Sequence, residues 1–429
     1  MKKKASAPQQ RPKTRVSIDA ALAQMKTLHR QGRYQESLDI CLQITRRQPK
    51  FADAWINATT NSIWLERWQD AVGYAQTALA CGGDSVELYD GLAHAHAQLG
   101  LWPEAGRYGL QALNLRDRQF GGPPAIPLPE PGPMPPLPSA QTRQHNIIAF
   151  SLFGGNSRYC ESAIVNVQEQ PQIYPHWVCR FYVDDSVPAQ VIQRLRAGGA
   201  QIVPVEGAAA QWPGPMWRLL ALDDRQAHRI LFRDADSVIS PREAHAVDQW
   251  LVSGKRFHMM RDWGSNTALI LAGMWGVVAG SLPPLEQLMA RFMSEPLQSR
   301  HFADQDFLRQ YVWPYARLSL MQHDSVFGFM DAVPFPDGAR PASAVGQGAS
   351  SFTQKMDLPD GTEVTWGVFR LDKQADGDGQ PRKTLVCAYP AIVKDKTIMG
   401  HIPRRYAQWI KQGTACLGFR AAGLQAAQR

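Results

Sequence analysis

Cysteine is scarce in this chain. The six present (Cys41, Cys81, Cys160, Cys179, Cys387 and Cys416) form no Cys-x-x-Cys or other metal-type spacing. That pattern speaks against a disulfide framework and a structural zinc site, and the thiols read as reduced, cytosolic ones. Long hydrophobic runs are missing as well. The longest uncharged stretch, Trp263 to Leu285, is broken by glycines and by Pro283 and Pro284. Its apolar core, Ala268–Gly280, is too short to cross a bilayer. No apolar region backs the charged N-terminus, so a secretory signal is not expected. Acidic residues are absent from both ends, before Asp19 and after residue 400.

That last absence explains the net charge of +8. Eleven of the 46 bases lie in the acid-free ends: Lys2, Lys3, Lys4, Arg11, Lys13 and Arg15, then Arg404, Arg405, Lys411, Arg420 and Arg429. The remaining 35 face all 38 acids, so the body of the chain is slightly acidic. Nucleic acid is therefore not an expected partner. Basic ends suit peripheral association with an anionic membrane surface at most. The expected location is cytoplasmic, extending to the inner face of the membrane.

What is present is size and pattern. A chain of 429 residues with 44% hydrophobic and 20% charged residues has material for two or more domains. From Ser17 to Gln119 the pattern is helical and repeats. Tyr34, Trp68 and Trp102 are spaced 34 residues apart, and each is followed three positions on by a small residue (Ser37, Ala71, Ala105). This period resembles the tetratricopeptide repeat, which implies three helix pairs whose apolar faces are buried by stacking. Such an array is either a stabilising unit or a docking surface for an acceptor or partner.

Nine prolines between Pro123 and Pro138 predict an extended, semi-rigid spacer and a domain boundary. Beyond it the period changes. Asn146–Phe153 reads as a buried parallel strand, followed by a helix at Ser162–Glu169 and a strand at Trp177–Val183 ending in Asp184-Asp185. A helix at Ala189–Ala197, a strand at Gln201–Val205, a helix at Met216–Asp224 and a strand at Arg229–Phe232 complete the run. Strands alternating with helices predict an α/β domain with a mostly parallel sheet, whose ligands bind beyond the carboxyl ends of the strands.

Three Asp-x-Asp pairs occur: Asp234/Asp236, Asp304/Asp306 and Asp376/Asp378. Two carboxylates at such spacing can hold a hard divalent cation that also bridges a pyrophosphate. Context separates them. Asp376-Gly377-Asp378-Gly379 reads as a turn, and Asp304-Gln305-Asp306 opens an amphipathic helix. Only Asp234/Asp236 follows a hydrophobic strand.

The run His228-Arg229-Ile230-Leu231-Phe232-Arg233-Asp234-Ala235-Asp236-Ser237-Val238, with Trp217-Arg218-Leu219-Leu220 before it, resembles the GT-A glycosyltransferases of the glycogenin and lipopolysaccharide galactosyltransferase type. Leu271-Ala272-Gly273-Met274-Trp275-Gly276-Val277, Asp304-Gln305-Asp306-Phe307-Leu308 and His323-Asp324-Ser325 follow in the order of that group's motifs. Ser151-Leu152-Phe153-Gly154, Met260-Arg261-Asp262 and Val345-Gly346-Gln347 are similar to bacterial polysaccharide-type transferases. The resemblance covers residues 145–347. It implies a Rossmann-like α/β domain acting on a nucleotide sugar, with Mn²⁺ or Mg²⁺ held by Asp234, Asp236 and His323. Phe153, Gly154, Asp184, Arg218 and Asp262 would bind the donor. Asp304 and Gln305 would lie beside the anomeric carbon, Asp304 serving as base if the reaction inverts. Trp212, Trp217, Trp263 and Trp275 are candidates for stacking on a sugar. Departures from the pattern are Arg233 and Ala272, both in place of the group's usual residues, and the residues after His323.

The expected organisation is a basic tail (1–16, disordered), three helical repeats (17–119), a proline-rich linker (120–143), the catalytic domain (144–348) and a C-terminal extension packed on or near it (349–429). Within that extension Leu385–Val393 suggests a strand and Arg404–Gln412 a basic amphipathic helix. Two other functions fit the same residues. Asp234-Ala235-Asp236-Ser237-Val238 also satisfies the haloacid dehalogenase-type phosphatase motif, with Asp234 as nucleophile and Asp236 as acid. A non-catalytic repeat scaffold is the second.

Overall fold

The computed structural model describes residues 17–128, 132–297, 299–338, 349–375 and 381–421. The basic tail 1–16, Val345-Gly346-Gln347, the Asp376–Gly379 turn and the last eight residues lie outside these. The chain divides into two compact units, Met1–Arg116 and Asp117–Arg429.

The first unit is a helical repeat array. Its helices are α1 (Ile18–Arg30), α2 (Tyr34–Arg47), α3 (Ala52–Trp64), α4 (Trp68–Ala80), α5 (Val86–Gln98) and α6 (Trp102–Phe120). The spaced aromatics Tyr34, Trp68 and Trp102 are the first residues of α2, α4 and α6. The small residue three positions on is fully buried each time, as Ser37, Ala71 and Ala105. It allows the paired helices to approach.

The turn inside each pair is one motif used three times. Gly32, Glu66 and Gly100 adopt left-handed backbone, at φ +74°, +56° and +75°. The next N–H then reaches back over the end of the preceding helix: Arg33 to Leu28 O, Arg67 to Ser62 O and Leu101 to His96 O. This is the Schellman closure, which favours glycine at the left-handed position.

The second unit contains a seven-stranded sheet: β1 (Asn146–Leu152), β2 (Val178–Val183), β3 (Gln201–Pro204), β4 (Arg229–Phe232), β5 (Phe257–Arg261), β6 (Trp275–Val278) and β7 (Leu320–Asp324), in the order β3-β2-β1-β4-β6-β5-β7. Pairing is parallel except where β6 lies antiparallel between β4 and β5. The sheet is flanked by α7 (Ser157–Ile173), α8 (Ala189–Ala197), α9 (Pro241–Val252), α10 (Leu285–Phe292), α11 (Ala303–Phe307) and α12 (Trp313–Ala316). Residues Gly214–Asp223 are a 3-10 run rather than the predicted α-helix.

The run of chain order outward from β1 reverses between β1 and β4. Connections leave in opposite directions there and open a crevice at the carboxyl edge of the sheet. β1 is buried at all seven positions, as its unbroken apolar run implies.

The described part of the proline-rich segment is not a free spacer. Arg229 donates to the carbonyls of Pro136 (2.6 Å) and Pro135 (3.0 Å), Arg256 to that of Gly132, and Tyr315 Oη to that of Ile126 (2.7 Å). Proline lacks an N–H but keeps its carbonyl as a strong acceptor, and Arg229, Arg256 and Tyr315 take these carbonyls; Tyr315 Oη also accepts from the Ile126 N–H (3.2 Å).

The C-terminal residues form β8 (Ala349–Lys355), β9 (Glu363–Ala375), β10 (Pro381–Ile392), β11 (Thr397–Pro403), α13 (Arg404–Lys411) and β12 (Ala415–Ala421). They share one hydrophobic core with α7 and the large sheet. Glu161 of α7, fully buried, accepts from Arg194, Tyr389 and Tyr406. Among the described residues, no helix is long and apolar enough to cross a membrane.

Glu66 is the single non-glycine among the three repeated turns. Left-handed backbone costs an L-residue roughly 1–2 kcal/mol, partly offset by the greater unfolded-state freedom of glycine. Glu66→Gly should therefore stabilise the repeats by up to about 1 kcal/mol, read as a rise in the thermal midpoint. A fall would show that the Glu66 side chain contributes more than its backbone strain.

Candidate functional site

The Asp234–Asp236 pair lies directly after β4, at the crevice where the strand order reverses. Its loop is pinned from both sides. The side chain of Asn166, buried on α7, donates to Ser237 O (2.8 Å) and accepts from the Ile239 N–H (2.9 Å). On the other side Gly273 presses against Asp234, and a Cβ there would collide with Asp234 Oδ2. Arg233, one of the departures from the resembled motif, has a structural role of its own. Its side chain is fully buried and pairs with Glu243 (3.3 Å). It also donates to the carbonyls of Phe232 and Trp275.

Arg218 organises the floor of the crevice. Its Nη1 donates to Asp234 Oδ1 (2.5 Å) and to Arg233 O (2.9 Å), and its Nη2 to Asp304 Oδ2 (2.7 Å). Its backbone N–H is held by Ser151 Oγ at 2.9 Å, next to the end of β1. Burial disfavours the charge of Arg218, but Asp234 and Asp304 outweigh it and the net pKa shift is upward. Asp262, another donor-binding candidate, does not join this group. Asp262 is buried instead against Arg242 (3.5 Å).

Asp304 sits in the first turn of α11, where its Oδ1 accepts from the Gln305 N–H (2.8 Å). Burial raises its pKa, Arg218 lowers it and Asp234 raises it again, for a net rise. Gln305, with its amide oriented to satisfy its partners, donates to Ile270 O (2.8 Å) and accepts from the Ala272 N–H (2.9 Å). It thus ties α11 to the turn that carries Gly273.

Two residues missed in the sequence complete the crevice. Arg158, in the first turn of α7, reaches Asp236 Oδ2 with Nε (2.9 Å) and Nη2 (2.8 Å). A base at a helix N-terminus opposes the helix dipole, and that misplacement was its one sequence signal. Burial and Asp234 raise the Asp236 pKa more than Arg158 lowers it. Ser186 joins the loops after β1 and β2. Its Oγ accepts from the Gly154 N–H (2.6 Å) and donates to Asp184 Oδ1. Phe153 is 42% exposed, edge-on to buried Trp217 at 5.5 Å. Phe153, Gly154 and Asp184 are thus gathered at one edge. Trp275 is fully buried, stacked on Phe232, and has no face for a sugar.

His323 is not brought to the pair. It lies on β7, three strands from β4, roughly 14 Å at ordinary strand spacing. Its Nε2–H donates to Gln249 Oε1 (2.9 Å), which leaves Nδ1 to accept from His258 Nε2–H (2.8 Å). Neither nitrogen keeps a lone pair for a cation. Among the described residues, no three His, Cys, Asp or Glu side chains converge on one point. The donor set at the crevice is therefore two carboxylates. That suits a hard cation sharing its remaining positions with water and phosphate oxygens, the usual arrangement for Mg²⁺.

No family model matches this chain, and no curated protein matches it. Two solved structures show distant likeness. An O-GlcNAc transferase mutant of Thermobaculum terrenum is 16% identical, covering 50% of this chain and 50% of that one, with a TM-score of 0.24. The 4-diphosphocytidyl-2C-methyl-D-erythritol synthase of Anaerococcus prevotii DSM 20548 is 8% identical, covering 43% of this chain and 88% of that one, with a TM-score of 0.28. The chain thus spans half the length of the transferase. Likeness at this level carries no argument about either unit.

Two outcomes follow. Gly273→Ala should cost about 1–3 kcal/mol, because the methyl has only Asp234 and its backbone to displace; an unchanged urea midpoint would remove the close approach. Burial lowers the His323 pKa to about 4. As pH falls from about 6.5 toward 4, the unfolded chain takes up a proton that the folded chain refuses, so stability is lost across that window. His323→Gln should lose less stability than the wild type between pH 7 and pH 5; equal losses would exclude His323 as a source.

Proposed function

We propose that this chain is a nucleotide-sugar-dependent glycosyltransferase of the GT-A type. The observation that carries the reading is the carboxylate pair Asp234/Asp236 at the carboxyl end of β4, beside the reversal in strand order. An open α/β sheet binds nucleotide phosphates at such a crevice.

In this reading the exposed ring of Phe153 meets the nucleobase, and the backbone at Gly154 and Asp184 borders the nucleoside. Asp234 and Asp236 hold Mg²⁺ or Mn²⁺ together with the donor diphosphate. The cation supplies Lewis-acid neutralisation of the charge that develops on the leaving nucleoside diphosphate. Arg218 fixes the rotamer of Asp234 and pairs with Asp304 beside it. Asp304 and Gln305 act by position: both oxygens of Asp304 are engaged, and Gln305 holds the turn under Asp234. This arrangement suits displacement assisted by charge neutralisation and geometry more than by a strong base. The 34-residue repeats, read as tetratricopeptide repeats, dock a protein or glycan acceptor.

A panel of nucleotide sugars with Mn²⁺ or Mg²⁺, scored for thermal stabilisation and donor hydrolysis, tests this reading. One or more donors should stabilise the intact chain, and Asp234→Ala should abolish both effects. No response to any donor, or an Asp234→Ala variant that behaves like the wild type, would overturn it.

A further inference from the structure

The two carboxylates of the pair are held by guanidinium groups of opposite character. Arg218 is buried and anchored through Asp234, Asp304, Arg233 O and Ser151, so it has no freedom to leave. Arg158 is different. Its side chain is 48% exposed, and its Nε and Nη2 both spend themselves on one oxygen, Asp236 Oδ2.

That oxygen is also one a divalent cation at the pair would need. A cation about 2.1 Å from a carboxylate oxygen and a guanidinium 2.8 Å from the same oxygen would lie only a few ångström apart. At that distance like charges repel strongly. Cation and Arg158 therefore compete for Asp236. The diphosphate that would accompany the cation offers Arg158 a better partner. A planar fork matches two phosphate oxygens at once, and an exposed side chain has the reach and the freedom to turn.

We propose that Arg158 is an exchangeable positioning residue: it neutralises Asp236 while the crevice is empty and transfers to the diphosphate when a cation–diphosphate complex arrives. The empty site then disfavours a free divalent cation and accepts one delivered with its nucleotide. This rests on the proposed function only as far as a cation and a diphosphate sharing the crevice, and on no particular sugar.

The test uses the full-length protein and two probes, Mn²⁺ alone and preformed Mn²⁺–pyrophosphate. Wild type, Arg158→Gln, Arg158→Lys and Asp236→Asn are compared by the Mn²⁺ electron paramagnetic resonance signal and by calorimetry. Arg158→Gln should bind Mn²⁺ alone several-fold more tightly and Mn²⁺–pyrophosphate at least tenfold more weakly. Arg158→Lys should fall between it and the wild type for both probes. The opposite signs are the signature, since a merely structural residue would move both affinities the same way. Shifts of one sign, or none, with binding still dependent on Asp236, would overturn the exchange and leave the glycosyltransferase reading standing. Binding of neither probe, or equal binding by Asp236→Asn, would overturn both.

Discussion

One buried guanidinium governs the geometry of the crevice. Arg218 belongs to the Gly214–Asp223 segment, yet it holds Asp234 after β4 and Asp304 in α11, while its own backbone is fixed to Ser151 of β1. The planar fork thus joins the loop after β4 to α11, and the backbone N–H of the same residue ties both to β1. A buried charge of this kind is tolerated only when its partners are all present. Asp234 both compensates Arg218 and belongs to the proposed cation-binding pair, so the packing and the electrostatics of the crevice are coupled.

The same economy recurs away from the crevice. Glu161 is fully buried on α7 and is satisfied by Arg194 and by two tyrosines from the C-terminal strands and helix. It couples the extension to the helix that carries Arg158 and Asn166. The proline-rich segment is drawn onto the α/β unit by arginines that take its carbonyls. The amphipathic helix Arg404–Lys411 buries Tyr406, which stacks at 4.9 Å on the partly buried Trp409.

How much of this was legible in the sequence varied with the range of the interaction. The repeats were legible because a helix pair is a local unit. An aromatic, a small residue and a left-handed turn recur every 34 residues whatever lies elsewhere in the chain. The strands Arg229–Phe232 and Asn146–Leu152 were legible for a related reason: burial on both faces leaves an unbroken apolar run. The Asp234/Asp236 pair could be chosen over two rival pairs because a carboxylate after such a strand must emerge at the edge of a sheet. The docking of the proline segment left no mark in the sequence because its hydrogen-bonding partners, Arg229, Arg256 and Tyr315, lie about a hundred to two hundred residues away.

The order of residues along the chain was enough to foresee the periodic array, the α/β character of the second unit and a strand ending in carboxylates. All three are consequences of periodicity and local burial. Which charges meet was settled by packing in three dimensions. It withheld His323 from the pair by spending both ring nitrogens on His258 and Gln249, and it brought in Arg158 and Asn166 from a helix some 70 to 80 residues earlier. Those choices depend on strand order and on the direction of each side chain. Neither leaves a mark on the spacing of residues along the chain.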